Sequence, residues 1–276
     1  MVDVPLLSVP TLAESLHDNR ARYFDLPGLE RMSAEQRKQV VLIVQDPFTS
    51  YYDAPVVRDL VKLASKLGFQ PYLLPFKPNG KPQHIKGFLR AFARTAANSA
   101  QFLNKVAALG IPMVGVDPAM VLCYRDEYAK ALGSARGDFQ VLLPQEWLLS
   151  LPVDQLPART DKTKSEEGSE PWYLFAHCTE KTAKPSTHGD WSTLFGRFGA
   201  SLQPVSVGCC GMAGTYGHDV KQVENSKGIY GLSWAEPLAR LPKARCLATG
   251  YSCRSQVKRM EGEKLKHPLQ ALLELL

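Results

Sequence analysis

Apolar positions along the chain fall into two alternating rhythms. Val40–Val44 is an unbroken apolar run, β-branched but for Leu42, as a strand buried on both faces requires, and it stops at Gln45-Asp46-Pro47. Residues 54–67 then place Val57, Leu60, Val61, Ala64 and Leu67 at helical spacing, closed by Gly68. A strand over 70–76, a turn at Pro78-Asn79-Gly80, a long helix over 84–109 and a strand over 111–116 running into Asp117-Pro118 complete the first series. After a stretch rich in Pro, Lys, Glu and Ser, the rhythm starts again. It gives a strand over 172–176 ending at His177-Cys178, a helix over 190–199, and a strand over 202–207 running into Gly208-Cys209-Cys210-Gly211. A helix over 218–235 and a strand over 244–249 running into Gly250-Tyr251-Ser252-Cys253 follow.

Strands alternating with helices predict an α/β fold, because parallel neighbours need a crossover and a helix usually supplies it. The chain reads as two pseudo-repeated βαβαβ halves with mostly parallel sheets. We place a polar lead-in at 1–38, a first half at 39–149, a linker at 150–170 and a second half at 171–276. In such sheets ligands gather beyond the carboxyl ends of the strands. Cys178, Cys209, Cys210 and Cys253 each follow a strand end, so the second half is expected to bring them to one rim.

Composition narrows the class. The chain is 45% hydrophobic and 22% charged, ordinary for a globular protein, and its +6 net charge is scattered rather than clustered, which argues against nucleic-acid binding. No apolar stretch is long enough to span a bilayer and no signal pattern opens the chain, so it reads as cytoplasmic. Six cysteines in 276 residues are too few for a disulfide scaffold; in a reducing compartment a tight group of them points to metal or redox chemistry.

Soft thiolates are what an iron–sulfur cluster or a zinc ion takes, and Cys178, Cys209, Cys210 and Cys253 are the expected ligands. Gly208 and Gly211 let the backbone bend around the adjacent pair. Cys246, His177 and His218 are further candidates as ligands or as hydrogen-bonding neighbours of the ligands. Cys123, after Val121-Leu122, reads as a small hydrophobe. Arg254 and Lys258 read either as charge compensation for a cluster or as a solvated basic face. In the first half Asn79, Lys81, His84 and Arg125 supply polar chemistry for an anion or substrate acid, or else serve as caps and ion pairs. Three functions stay open on this basis: an electron-carrying cluster, a structural zinc module, and a thiol redox protein using the adjacent cysteines.

Cys178, the run Gly208-Cys209-Cys210-Gly211-Met212-Ala213-Gly214-Thr215-Tyr216-Gly217, and Thr249-Gly250-Tyr251-Ser252-Cys253 resemble the cysteine-rich CCG domain. That domain occurs in heterodisulfide reductase and in the iron–sulfur subunits of glycolate oxidase and anaerobic glycerol-3-phosphate dehydrogenase. The first half resembles a decayed copy, with Asp46, Pro78-Asn79-Gly80 and Asp117-Pro118-Ala119-Met120 where the pattern has cysteines. Gln45–Tyr52, Pro75–Gly80 and Cys123–Tyr128 look most like the C-terminal part of fused FAD and iron–sulfur D-2-hydroxyglutarate or D-lactate dehydrogenases. The resemblance implies a [4Fe–4S]-type cluster on this chain and FAD on a companion domain or subunit that also carries ferredoxin-like clusters. It leaves the electron acceptor unknown. No G-x-G-x-x-G fingerprint is present to hold FAD here. The family's last element is often C-x-x-C, and its first position is Gly250 in this chain.

Overall fold

The computed structural model describes residues 5–17, 22–156 and 170–276. Most of the expected linker, 157–169, lies outside the described residues. The chain divides into two compact units, one of residues 8–147 and one of 148–276 together with the residues before Ser8.

The unit of residues 8–147 opens with α1 (Leu12–His17), β1 (Arg22–Tyr23), α2 (Leu26–Arg31) and α3 (Ala34–Lys38). It continues through β2 (Val40–Val44), α4 (Ala54–Lys66), β3 (Gln70–Leu73), α5 (Lys81–Ile85), α6 (Leu89–Ala107), β4 (Met113–Gly115), α7 (Pro118–Arg125) and α8 (Glu127–Leu132); α9 (Pro144–Ser150) crosses the division. Its sheet is parallel throughout, in the order β1-β3-β2-β4. All five residues of β2 are buried, which explains their unbroken apolar run in a strand covered on both faces. Val40, Leu42 and Val44 share one core with Phe92, Leu103 and Tyr128.

The unit of residues 148–276 carries β5 (Trp172–Phe175), α10 (Cys178–Ala183), α11 (Thr187–Arg197), β6 (Leu202–Pro204), α12 (Val223–Gly231), α13 (Ala235–Arg240), β7 (Cys246–Ala248), α14 (Tyr251–Glu261) and α15 (Pro268–Glu274). Its sheet is also parallel, in the order β6-β5-β7. In both units the first strand of the βαβαβ series lies in the middle.

The repeat extends to register. Ile43 faces Leu73 on one side and Val114 on the other; Leu174 faces Pro204 and Leu247. Beyond each third strand an extended residue adds a parallel bridge, Val114 to Leu142 and Leu247 to Lys266. Aligning Ile43 with Leu174 therefore aligns all four segments, including Leu143-Pro144 with His267-Pro268 at the starts of α9 and α15.

Several expected elements differ in detail. The helix expected over 84–109 is broken at Lys86-Gly87-Phe88 into α5 and α6, and the one expected over 218–235 becomes a single turn at Tyr216–His218 followed by α12 and α13. Glycines at 228 and 231 weaken a continuous helix there. The lead-in contributes β1, two residues on the sheet edge and too short to show a period.

Candidate metal centre

Cys178 is the first residue of α10, Cys209 and Cys210 lie in the loop after β6, and Cys253 sits in the first turn of α14. All four occupy the carboxyl-end rim of one parallel sheet. Their thiols meet in a chain of hydrogen bonds, Cys178 with Cys209, Cys209 with Cys210, and Cys210 with Cys253. Cys210 and Cys253 are buried, Cys178 is partly covered and Cys209 is exposed. Gly211 turns the backbone directly after the pair: its φ is +86°, and a Cβ there would stand 2.2 Å from the Ser226 carbonyl oxygen.

Protons are unequally held along this chain of sulfurs. The thiols of Cys178 and then Cys210 donate to Cys209, and with the Gly211 N–H at 3.3 Å they hold its pKa far below the usual thiol range. Cys178 is pushed far up, first because its proton is held against Cys209 and then by burial. Cys210 is pushed up by its hydrogen bonds to Cys209 and Cys253 and by burial. The Gly211 N–H points at the Cys209 sulfur at 3.3 Å. A soft cation would displace the shared protons, since metal binding requires the thiolate form. Among the described residues no group of three or more His, Cys, Asp or Glu side chains is placed so that it could hold a metal ion. The fit to iron or zinc therefore rests on donor chemistry alone: four thiols along one strand-end rim, with the Gly211 N–H donating to the Cys209 sulfur.

His177 is buried, and both of its ring nitrogens have protein partners. Nδ1 accepts from the Thr179 N–H at 3.2 Å, capping α10, and Nε2 lies 3.3 Å from Ser252 Oγ. His218 is also buried, with Nδ1 2.9 Å from Arg259 Nη2. Cys246 lies at the opposite end of β7 from Cys253, its thiol directed at the Pro242 carbonyl oxygen and its pKa raised to about 11 by burial. Arg254 is not on a solvated face: it is 0% exposed, and its Nη1 donates to the carbonyls of Ala248 and Thr249 at 3.0 and 2.8 Å. Lys258 is exposed.

Sequence reasoning missed the polar frame around the cysteines. Thr249 Oγ1 accepts from the His177 N–H at 2.9 Å and donates to Glu180, whose other oxygen accepts from Thr187 at 2.6 Å. Glu180 is fully buried, a fact its place in Thr-Glu-Lys-Thr conceals.

In the first half the expected anion-binding groups have protein partners. Lys81 pairs with Glu127, and Arg125 pairs with Glu146 and donates to the Val141 carbonyl. Asn79 accepts from the Lys81 N–H and donates to the Met120 carbonyl, while His84 packs on Phe92 with ring centroids 4.9 Å apart. Cys123 is fully buried, and burial raises its pKa to about 12.

The shared register assigns counterparts across the two halves. Pro47, Pro78, Asn79 and Met120 stand where the second half has Cys178, Cys209, Cys210 and Cys253. Asp46 matches His177 rather than a cysteine, and Asp117 matches Gly250. Asn79 Nδ2 lies 3.4 Å from Met120 Sδ, so the contact made by Cys210 and Cys253 survives there between an amide and a thioether. Gly80, the counterpart of Gly211, has φ +78°.

The fold and site thus define a class, a parallel α/β pseudo-repeat with one sulfur-lined rim. No family model matches the chain. The chain is 60% identical over 276 residues to the D-2-hydroxyglutarate dehydrogenase of Escherichia coli (strain K12), which covers 100% of this chain and 26% of the relative. It is 53% identical over 277 residues to the protein of that name from Haemophilus influenzae (strain ATCC 51907 / DSM 11121 / KW20 / Rd), covering 100% of this chain and 27% of the relative. A subunit of the anaerobic glycerol-3-phosphate dehydrogenase of Escherichia coli (strain K12) is 22% identical over 253 residues, covering 87% of this chain and 60% of the relative. The chain spans about a quarter of the length of the two D-2-hydroxyglutarate dehydrogenases and matches their C-terminal part. Among the described residues no helix is long and apolar enough to cross a membrane.

Proposed function

We propose that this chain is the iron–sulfur electron-transfer part of an FAD-linked D-2-hydroxyacid dehydrogenase. Cys178, Cys209, Cys210 and Cys253 would hold a [4Fe–4S]-type cluster. The observation that carries this reading is the placement of four cysteines along one strand-end rim. When bound, the cluster supplies one-electron transfer between a flavin elsewhere in the protein and an acceptor. The chain's own residues give up the shared thiol protons, direct the Gly211 N–H at the Cys209 sulfur, and bury Cys210 and Cys253. Exposed Cys209 marks the side from which an electron enters or leaves. Names of long relatives support the substrate class, a D-2-hydroxyacid such as D-2-hydroxyglutarate.

One observation favours a second reading. Cys209 is exposed and strongly acidic for a thiol, as a reactive redox cysteine must be. Anaerobic purification with metal and sulfide analysis and an absorption spectrum separates the possibilities. Stoichiometric iron and sulfide, lost in a Cys209→Ser, Cys210→Ser double variant, is the expected result. Zinc would make the site structural. A metal-free folded protein alkylated rapidly at Cys209 would favour thiol chemistry.

A further inference from the structure

The position that would complete a C-x-x-C pair is Gly250, and the structure shows what stands in that space. A Cβ on residue 250 would lie 2.2, 2.9 and 3.2 Å from Cδ2, Cγ and Cβ of His177. The first of these is far inside van der Waals contact, so the imidazole occupies the volume a side chain at 250 would need. His177 and Gly250 are a matched pair: one fills what the other leaves open.

The same imidazole touches both helices that bring a buried or half-buried cysteine to the rim. Its Nδ1 accepts from the Thr179 N–H in the first turn of α10, beside Cys178. With Nδ1 accepting, the proton of the neutral ring sits on Nε2, which faces Ser252 Oγ at 3.3 Å, beside Cys253 in the first turn of α14. Its backbone N–H donates to Thr249 Oγ1 at 2.9 Å, at the end of β7. Three hydrogen bonds and one packing contact thus tie the Cys178 and Cys253 segments together through a residue 6% exposed.

The other half fills the same position with a helix-capping side chain. Asp46, the register counterpart of His177, caps its following turn by accepting from the N–H groups of Phe48 and Thr49, and the charge of Asp117, the counterpart of Gly250, reaches it. What is particular to the cysteine half is the link onward to the residue beside a ligand. We infer that His177 is a positioning residue of the metal centre, clamping the Cys178 and Cys253 segments at one separation and holding the site to four sulfurs by excluding a ligand at 250. This inference rests on the cluster reading above.

The test uses the anaerobically loaded chain with four changes: His177→Asn, His177→Ala, Gly250→Ala, and the last two combined. Asparagine keeps a capping acceptor near the Nδ1 position and is too short to reach Ser252. We expect His177→Asn to fold, with the melting point of its apo form close to the parent's. Its cluster should be stripped by about 10-fold less chelator, as is typical when a hydrogen-bonding neighbour of a ligand is lost, and its electron paramagnetic resonance spectrum should change. Gly250→Ala alone should lower the apo melting point and iron content sharply, and much less so when His177 is already alanine. If His177→Asn keeps the parent's chelator resistance and spectrum, His177 is only a helix cap and the inference falls. Additive losses in the combined variant would overturn the packing pair. A parent that binds no iron would remove the cluster reading itself, an outcome visible before any variant is made.

Discussion

The two halves of this molecule share a sheet order, a register and a rim, and differ in what the rim is made of. In one, thiols with shared protons meet at the strand ends. In the other, Asn79 and Met120 make the equivalent contact, prolines take the other two ligand positions, and Lys81, Glu127, Arg125 and Glu146 close on one another. The scaffold therefore does not dictate the chemistry. Four side chains on an unchanged backbone plan decide whether the rim keeps room for a soft cation or is filled by the protein's own groups.

The largest expected effect separates the rims by metal content. Cys209→Ser with Cys210→Ser should bring iron to background, whereas Met120→Leu, a nearly volume-conserving change at the counterpart of Cys253, should leave iron stoichiometry unaltered. Loss of iron on Met120→Leu would show that the two units depend on each other.

Arg254 is the next point of contrast, because its counterpart is Val121, a core residue. Arg254→Met removes a buried donor from the carbonyls of Ala248 and Thr249 and should cost about 3 kcal/mol of stability, since hydrogen bonds from charged groups are the costly ones to lose. Chemical denaturation of the apo-protein measures this. A cost below about 1 kcal/mol would mean that the carbonyls find other donors.

The carboxylate rim should reveal itself through pH. Burial and then the charge of Asp117 raise the Asp46 pKa to about 7. The folded state thus holds a proton that the unfolded chain releases near 3.8, so the stabilisation is fully present below about pH 4 and is lost as pH rises through 7. The unit of residues 8–147 should lose on the order of 4 kcal/mol across that window. Asp46→Asn should flatten the dependence, and an unchanged slope in the variant would assign it to other groups.

Much of this fold was legible because a parallel strand buried on both faces must be apolar throughout, as Val40–Val44 is, and because Gly68 and Gly110 mark helix ends. The four cysteines were legible because thiols are rare and their places after strand ends were readable. What escaped has a common cause: burial of polar groups leaves no periodic trace. Glu180, Thr249 and Ser252 look like ordinary surface residues in sequence, and only the fold shows them enclosed beside the cysteines. The repeat's exact register escaped too, so that Asp46 read as a cysteine substitute when its partner is His177. The strand pairings of Ile43 and Leu174 were needed to fix it.

The smallest difference between the halves lies at another matched pair, Ser50 and Lys181, each four residues beyond Asp46 and His177. Lys181 reaches the Val207 carbonyl oxygen, while Ser50 Oγ is buried with no hydrogen-bond partner among the described residues. A buried hydroxyl without a partner carries its desolvation cost uncompensated, so Ser50→Ala should stabilise by up to about 1 kcal/mol. Lys181→Met should instead cost about 1 kcal/mol, because it abandons a carbonyl that the ammonium satisfied. Melting curves of the two apo variants would have opposite signs. If both destabilise, Ser50 has a bound water for a partner, and the first rim is wetter than its closed ion pairs imply.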